Sequence, residues 1–169
     1  MKYKNNHGFS LIELLIVIVI IGILASLAVA GLLASKRSAN EGSAVSTMRL
    51  VHGAQMTYAT SYGSGEYAGD IGAGTTQVFS VLKGLKLVDD VVGSGSKSGF
   101  NFVGGREVST TSTAAQFFFS AIPISTGALT GTGNQRFGIS TDGVVRADPT
   151  VSAQYANAAA VTTAAAFGS

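Results

Sequence analysis

Hydrophobic and polar positions change rhythm three times along this 169-residue chain. Residues 1–8 are mostly polar and end at Gly8. From Phe9 the chain is almost wholly apolar, and Leu14–Leu33 is a run of 20 residues without a formal charge. Apolar residues on every side predict a helix embedded in lipid or in the core of an assembly. At about 1.5 Å per residue the run spans about 30 Å, the thickness of a bilayer core. After Lys36-Arg37 the pattern becomes amphipathic. Val45, Met48, His52, Gln55, Ala59 and Tyr62 recur at spacings of three and four, although His52 and Gln55 interrupt the apolar stripe. One helix of about 80 Å is therefore predicted over residues 9–62, with a transmembrane or assembly-core part at 9–34 and an amphipathic part beyond it.

Glycines at 63, 65, 69, 72 and 74 then predict a loop region. Thr76–Leu82 and Lys86–Val92 read as two short helices, and Gly93–Gly99 as a flexible connector. Beyond it the period shortens to two. Phe100 and Phe102 alternate with polar or small neighbours, Gln116–Ile122 is aromatic-rich, and Pro123 closes that strand. Arg136–Thr141 and Val144–Ala147 flank Asp142-Gly143, which predicts a two-residue hairpin turn with φ > 0 at both positions. The expected fold class is α+β. Its antiparallel sheet would have three or four strands, with one face packed on the second half of the long helix. Four segments follow: 1–8, 9–62, a head over 63–147, and an alanine-rich tail over 148–169 open to helix, surface strap or disorder.

Composition narrows the chemistry. The chain has no cysteine and no tryptophan, so no disulfide framework holds the head. The formal charge is +2, but Lys2 and Lys4 both lie in residues 1–8, and the remainder carries nine Lys/Arg against nine Asp/Glu. No basic patch argues for nucleic acid. The two histidines are His7 and His52, and a His/Cys zinc cluster is excluded. Gly63-Ser64-Gly65-Glu66-Tyr67-Ala68 matches a dinucleotide fingerprint formally, but it follows a predicted helix instead of a strand. Ser94-Gly95-Ser96-Lys97 matches a Ser-x-x-Lys motif but lies among glycines, not at the opening of a helix. Both read as loops. Phe100, Phe102, Phe117, Phe119 and Phe137 read as core, not as a ligand pocket. No enzymatic activity is expected.

Glu13 stands apart. A carboxylate near the start of an apolar helix costs about 2.5–3.5 kcal/mol at bilayer depth even on lenient scales. Its position implies a partner inside an apolar assembly, or a charge that snorkels to the interface. An ordinary secretory signal is a competing reading, because Ala28-Val29-Ala30 offers a small-x-small cleavage site. A mature chain would then begin at Gly31. A plain uncleaved anchor is the third possibility.

The stretch GFSLIELLIVIVIIGILASLA, from Gly8, closely resembles the class III signal of type IV prepilins and type II secretion pseudopilins. The segments Ser46-Thr47-Met48-Arg49, Gln55-Met56-Thr57-Tyr58-Ala59, Lys97-Ser98-Gly99-Phe100 and Asp142-Gly143-Val144-Val145-Arg146 look like those of cysteine-free, pseudopilin-like pilins. The resemblance covers residues 1–147. It implies cleavage between Gly8 and Phe9 by a prepilin peptidase, which is also the methyltransferase acting on the new Phe9 amine. It implies that Glu13 receives that amine from a neighbouring subunit as the chains self-associate into a helical filament. An assembly platform protein and an ATPase motor are implied partners. The implied location is the inner membrane for the precursor, with the head outside the cytoplasm, and then a cell-surface pilus or a periplasmic pseudopilus. Major pseudopilins carry calcium in a C-terminal loop, which makes Asp142 and Asp148 weak calcium candidates; no other cofactor is implied. One departure is Ala30-Gly31, where many members have a proline that loosens the helix. Gly31 weakens a helix interior by only about 1 kcal/mol.

Overall fold

The computed structural model describes residues 8–72 and 74–168. Helix α1 (Leu11–Ser61) is continuous over 51 residues, passing through Gly31 without a break. It ends where the chain turns left-handed: Ser64 has φ 50° and Gly65 φ 93°. The N–H groups of Tyr62 and Gly63 both reach Tyr58 O, and Gly65 N–H reaches Ala59 O, so these two carbonyls in the last turn are satisfied as the helix stops.

The chain divides into two compact units, one ending at Ser35 and one running from Lys36 onward. In the first, the apolar part of α1 buries none of the residues in its most hydrophobic window. In the second, α1 buries Ala44, Val45, Thr47, Met48, Val51, Ala54, Gln55 and Ala59. Gln55 is not an interruption of that face. It is fully buried, and its amide exchanges two hydrogen bonds of 2.9 Å with the backbone N–H and carbonyl of Ala68. Pairing both ends of the amide removes the desolvation cost that would otherwise keep it at the surface. Tyr62, expected on the same face, is exposed because the helix has already ended.

Two short helices follow, α2 (Gln77–Gly84) and α3 (Asp90–Gly93). The second is shorter than the expected Lys86–Val92. Lys86 takes φ 57°, and the N–H groups of Leu85, Lys86 and Leu87 close the end of α2. The α3 start is fixed instead by Asp89, whose carboxylate accepts the Val92 N–H at 2.7 Å.

The sheet has five antiparallel strands in sequential order: β1 (Ser96–Lys97), β2 (Phe100–Glu107), β3 (Gln116–Pro123), β4 (Arg136–Ser140) and β5 (Arg146–Asp148). The additional strand is β1, inside the expected connector. Lys97 pairs with Phe100 across Ser98-Gly99, and those two residues take φ 49° and 75°. The two-residue turn with two left-handed positions thus lies here. At Asp142-Gly143, where it was expected, only Gly143 is left-handed (φ 73°). Gly143 N–H bonds to Ser140 O at 2.9 Å, and Asp142 Oδ1 accepts from Ser140 Oγ and Val144 N. These side-chain bonds hold a wider turn, so the ladder between β4 and β5 ends at Gly138–Arg146.

Strand alternation sends Phe100, Phe102, Phe117, Phe119, Phe137 and Ile139 to the face that packs with α1 and α2. Burying each such side chain contributes about 1.5–3 kcal/mol. Phe118 points the other way, where it packs with Tyr155, Ala158 and Val161. The alanine-rich segment therefore has a definite structure. It forms α4 (Ala158–Thr162), capped by Asn157 through a 2.7 Å bond from Ala160 N. Its end then runs antiparallel beside β5: Ala147 N–H reaches Ala165 O, and Phe167 N–H reaches Val145 O. This covers a sheet edge that would otherwise offer unpaired backbone groups.

Gly138 permits that cover, because a Cβ there would come within 2.8 Å of the Tyr155 ring. Gly138→Ala is expected to cost about 1–3 kcal/mol in denaturant unfolding, as overpacking does. Unchanged stability would show that the strap is not held against the outer face.

Candidate processing and assembly site

Gly8, Phe9 and Ser10 lie ahead of α1 and are exposed, Phe9 by 92%. Residues 1–7, the rest of the expected leader, lie outside the described residues. Ser10 occupies the cap position before Leu11, and Glu13 is the third residue inside the helix. Glu13 Oε2 accepts the Ser10 backbone N–H at 2.8 Å. This is half of a capping box, which supplies an acceptor to an N–H that the helix itself cannot pair. The Ser-x-x-Glu spacing is the sequence signal for this capping use of Glu13, which stands beside its expected role as an assembly charge. The two uses are compatible: one carboxylate oxygen serves the helix start and Oε1 has no partner among the described residues.

Along the next turns, Leu14, Leu15, Ile16, Val17, Ile18, Val19, Ile20 and Ile21 are all at least 46% exposed. Because consecutive residues cover every direction around a helix, this segment is exposed on every side among the described residues. The helix is long and apolar enough to cross a membrane.

The deciding comparison falls on these residues. The family model for the prokaryotic N-terminal methylation motif matches residues 3–29. The chain carries a prepilin-type methylation motif. The motif takes in Gly8, Phe9, Ser10 and Glu13 together with most of the apolar run. A stretch of 58 residues is 41% identical to type II secretion system core protein G of Aeromonas hydrophila. That match takes in 34% of this chain and 41% of the relative, so the chain spans well under two thirds of the relative's length. No solved structure gives a significant match.

The other sequence candidates lie in the head. Asp142 is bound by Arg146 at 2.6 Å as well as by Ser140 and Val144. Burial pushes its carboxyl upward, but those hydrogen bonds and the Arg146 charge outweigh burial and hold it below the usual range. Asp148 pairs with Arg136 at 2.8 Å, accepts the Tyr155 hydroxyl at 2.7 Å and the Thr150 N–H at 2.7 Å. Its balance is the same, with burial outweighed by Tyr155, Arg136 and Thr150. Each aspartate is thus matched to an arginine, and among the described residues no group of three His, Asp or Glu side chains is placed to hold a metal.

The Arg136–Asp148–Tyr155 cluster was not foreseen, since nothing in the tail's composition marks Tyr155 as a sheet contact. The Arg136 guanidinium lies 3.9 Å from the centre of the Tyr155 ring. Of the two loop motifs, Gly63–Ala68 forms the exit of α1, where Glu66 holds Arg106 and Ser109. Hydrogen bonds from Ser109, then the Arg106 charge, lower the Glu66 carboxyl. Ser94–Lys97 leads into β1. His52 stands 5.4 Å from the Phe117 ring and beside Thr141 O.

Burial and the Asp148 charge raise the Tyr155 phenol to about 12. The fold favours the neutral phenol, so this contribution is complete below the ordinary value of about 10 and is lost as pH rises from there toward the raised value. The lowered carboxyls act oppositely: they stabilise above the ordinary value of about 4, and the contribution is lost as pH falls through their lowered values. The melting temperature of the head is expected to be flat between these limits and to fall on both sides. Tyr155→Phe should cost about 1–2 kcal/mol at neutral pH and remove much of the alkaline decline. Chelator should leave the melting temperature unchanged; a fall reversed by calcium would assign a cation to the Asp142 and Asp148 region.

Proposed function

We propose that the chain is a structural subunit of a type IV pilus-like filament. It is made as an inner-membrane precursor with its head outside the cytoplasm, cut between Gly8 and Phe9 by a prepilin peptidase, and methylated on the Phe9 amine. The single observation that carries this reading is the apolar segment of α1, exposed on all sides and headed by a methylation motif. A segment with that surface needs lipid before assembly and other copies of itself afterward. Both environments are apolar, so transfer between them does not expose the whole helix to water.

Glu13 would select the register between helices. Its free oxygen receives the Phe9 amine of a neighbour, because either charge buried alone would be unfavourable. A platform membrane protein and an ATPase motor would drive extraction. Catalysis is no part of this role. A second reading, a major pseudopilin of a type II secretion system, is favoured by the match to core protein G. Imaging of surface filaments with and without the protein separates the two.

Mass analysis of mature material should find N-methylated Phe9 at the terminus. A chain beginning at Gly31 would establish a secretory signal, and an uncut chain an anchor. Glu13→Leu and Glu13→Gln should both insert in the membrane and both fail to form filaments. Glutamine keeps the capping group, so normal filament levels with Glu13→Gln would refute the charge pairing.

A further inference from the structure

Residues 124–135, which join β3 to β4, are fastened to the start of the head's portion of α1. Arg37 donates through Nε to Gly131 O and through Nη2 to Gly127 O, each at 3.2 Å, and also through Nη2 to Ala128 O. Asn40 Nδ2 donates to Thr132 O at 3.0 Å. Glu41 accepts the Asn134 N–H at 2.7 Å and the Gln135 side chain at 3.4 Å. The loop also closes on itself, Gly131 N–H to Gly127 O and Thr132 N–H to Ser125 O. Yet this well-bonded loop leaves Ile124 53% and Leu129 75% exposed. Both aliphatic side chains are thus carried on a loop fixed to the turn of α1 that holds Arg37.

Lys36 and Arg37 are the first charged residues after the uncharged run. Cationic side chains at the end of an apolar span lie at headgroup level and reach for lipid phosphates. Arg37 instead directs its guanidinium to three loop carbonyls, which draws the loop to the level of that helix turn. Lys36 has no partner among the described residues and is left to meet the phosphates.

We propose that the 124–135 loop is a membrane-contact element of the precursor, with Leu129 and Ile124 entering the headgroup region of the leaflet on the head's side. The partner is a phospholipid surface carrying anionic headgroups. The inference rests on the reading of the apolar part of α1 as a bilayer span. It adds a second point of attachment, which restrains the head against the bilayer and must be released when the subunit is extracted.

The native chain has no cysteine, so single-cysteine variants can carry one environment-sensitive fluorophore. The probe is placed at Leu129→Cys, at Ile20→Cys within the span, and at Ile71→Cys. Ile71 is also apolar and 64% exposed, but it pairs with Arg106, which Glu66 ties to the loop at the far end of α1. Full-length protein is reconstituted in phosphatidylethanolamine–phosphatidylglycerol vesicles containing spin-labelled lipid. Quenching is expected at 20, and several-fold more strongly at 129 than at 71. Adding Arg37→Gln to the 129 variant should free the loop and reduce that quenching, while quenching at 20 is unchanged. Quenching at 20 with none at 129 above the level at 71 overturns the proposal alone. Absence at 20 overturns the span reading and the proposal with it. Shielding at 129 only after filaments form would assign the surface to a neighbouring subunit and also overturn it.

Discussion

The first part of α1 has an apolar surface exposed on every side among the described residues, and much of the rest follows from that constraint. A soluble domain would bury one stripe of such a helix and leave the opposite side polar. Here Leu14 through Ile21 are exposed in every direction, so the favourable environment must come from lipid or from other helices. The proposed pairing of Glu13 rests on that requirement. The same carboxylate would be ordinary on a hydrated helix. In an apolar surround it must be matched, and the Ser10 N–H matches only one of its oxygens.

The head follows different rules. Its core is built from strand phenylalanines against α1 and α2, without disulfides. Where polar groups enter, they are paired: Gln55 with both backbone groups of Ala68, Asp142 with Arg146, and Asp148 with Arg136 and Tyr155. The last residues add a second layer on the outer face, around Phe118 and Tyr155. That layer joins the charged edge of the sheet to a strap whose composition alone buries little. The result is a sheet covered on both faces and along its β5 edge.

The long helix and the strand phenylalanines were legible because their signals are periodic and local. All-round apolarity reports an embedded helix, and alternation reports a sheet face. The octet from Gly8 to Leu15 was legible as a signal for the same reason, since its meaning lies in spacing along one helix. The hairpin around Asp142-Gly143 forms where it is expected, between β4 and β5, but the two-residue turn closes at Ser98-Gly99 instead, because Asp-Gly and Ser-Gly satisfy similar turn rules. Which of them closes a two-residue turn depended on side-chain bonds to Asp142, and those require the finished sheet. Lys86 departs from the expected helix for a related reason: its left-handed backbone belongs to the end of α2, which sequence period does not mark.

Sequence by itself therefore determined the apolar helix, the motif at its head, the α+β class and the inward phenylalanines, because each is written in residue type at short, regular separation. Tertiary structure decided what pairs across distance. It made Gln55 a core residue, divided Asp142 and Asp148 between two arginines, and laid the 148–168 segment over Phe118. It also fastened the 124–135 loop to Arg37, Asn40 and Glu41. Those outcomes depend on which backbone groups are left without partners once the sheet has formed, and no short pattern along the chain encodes that.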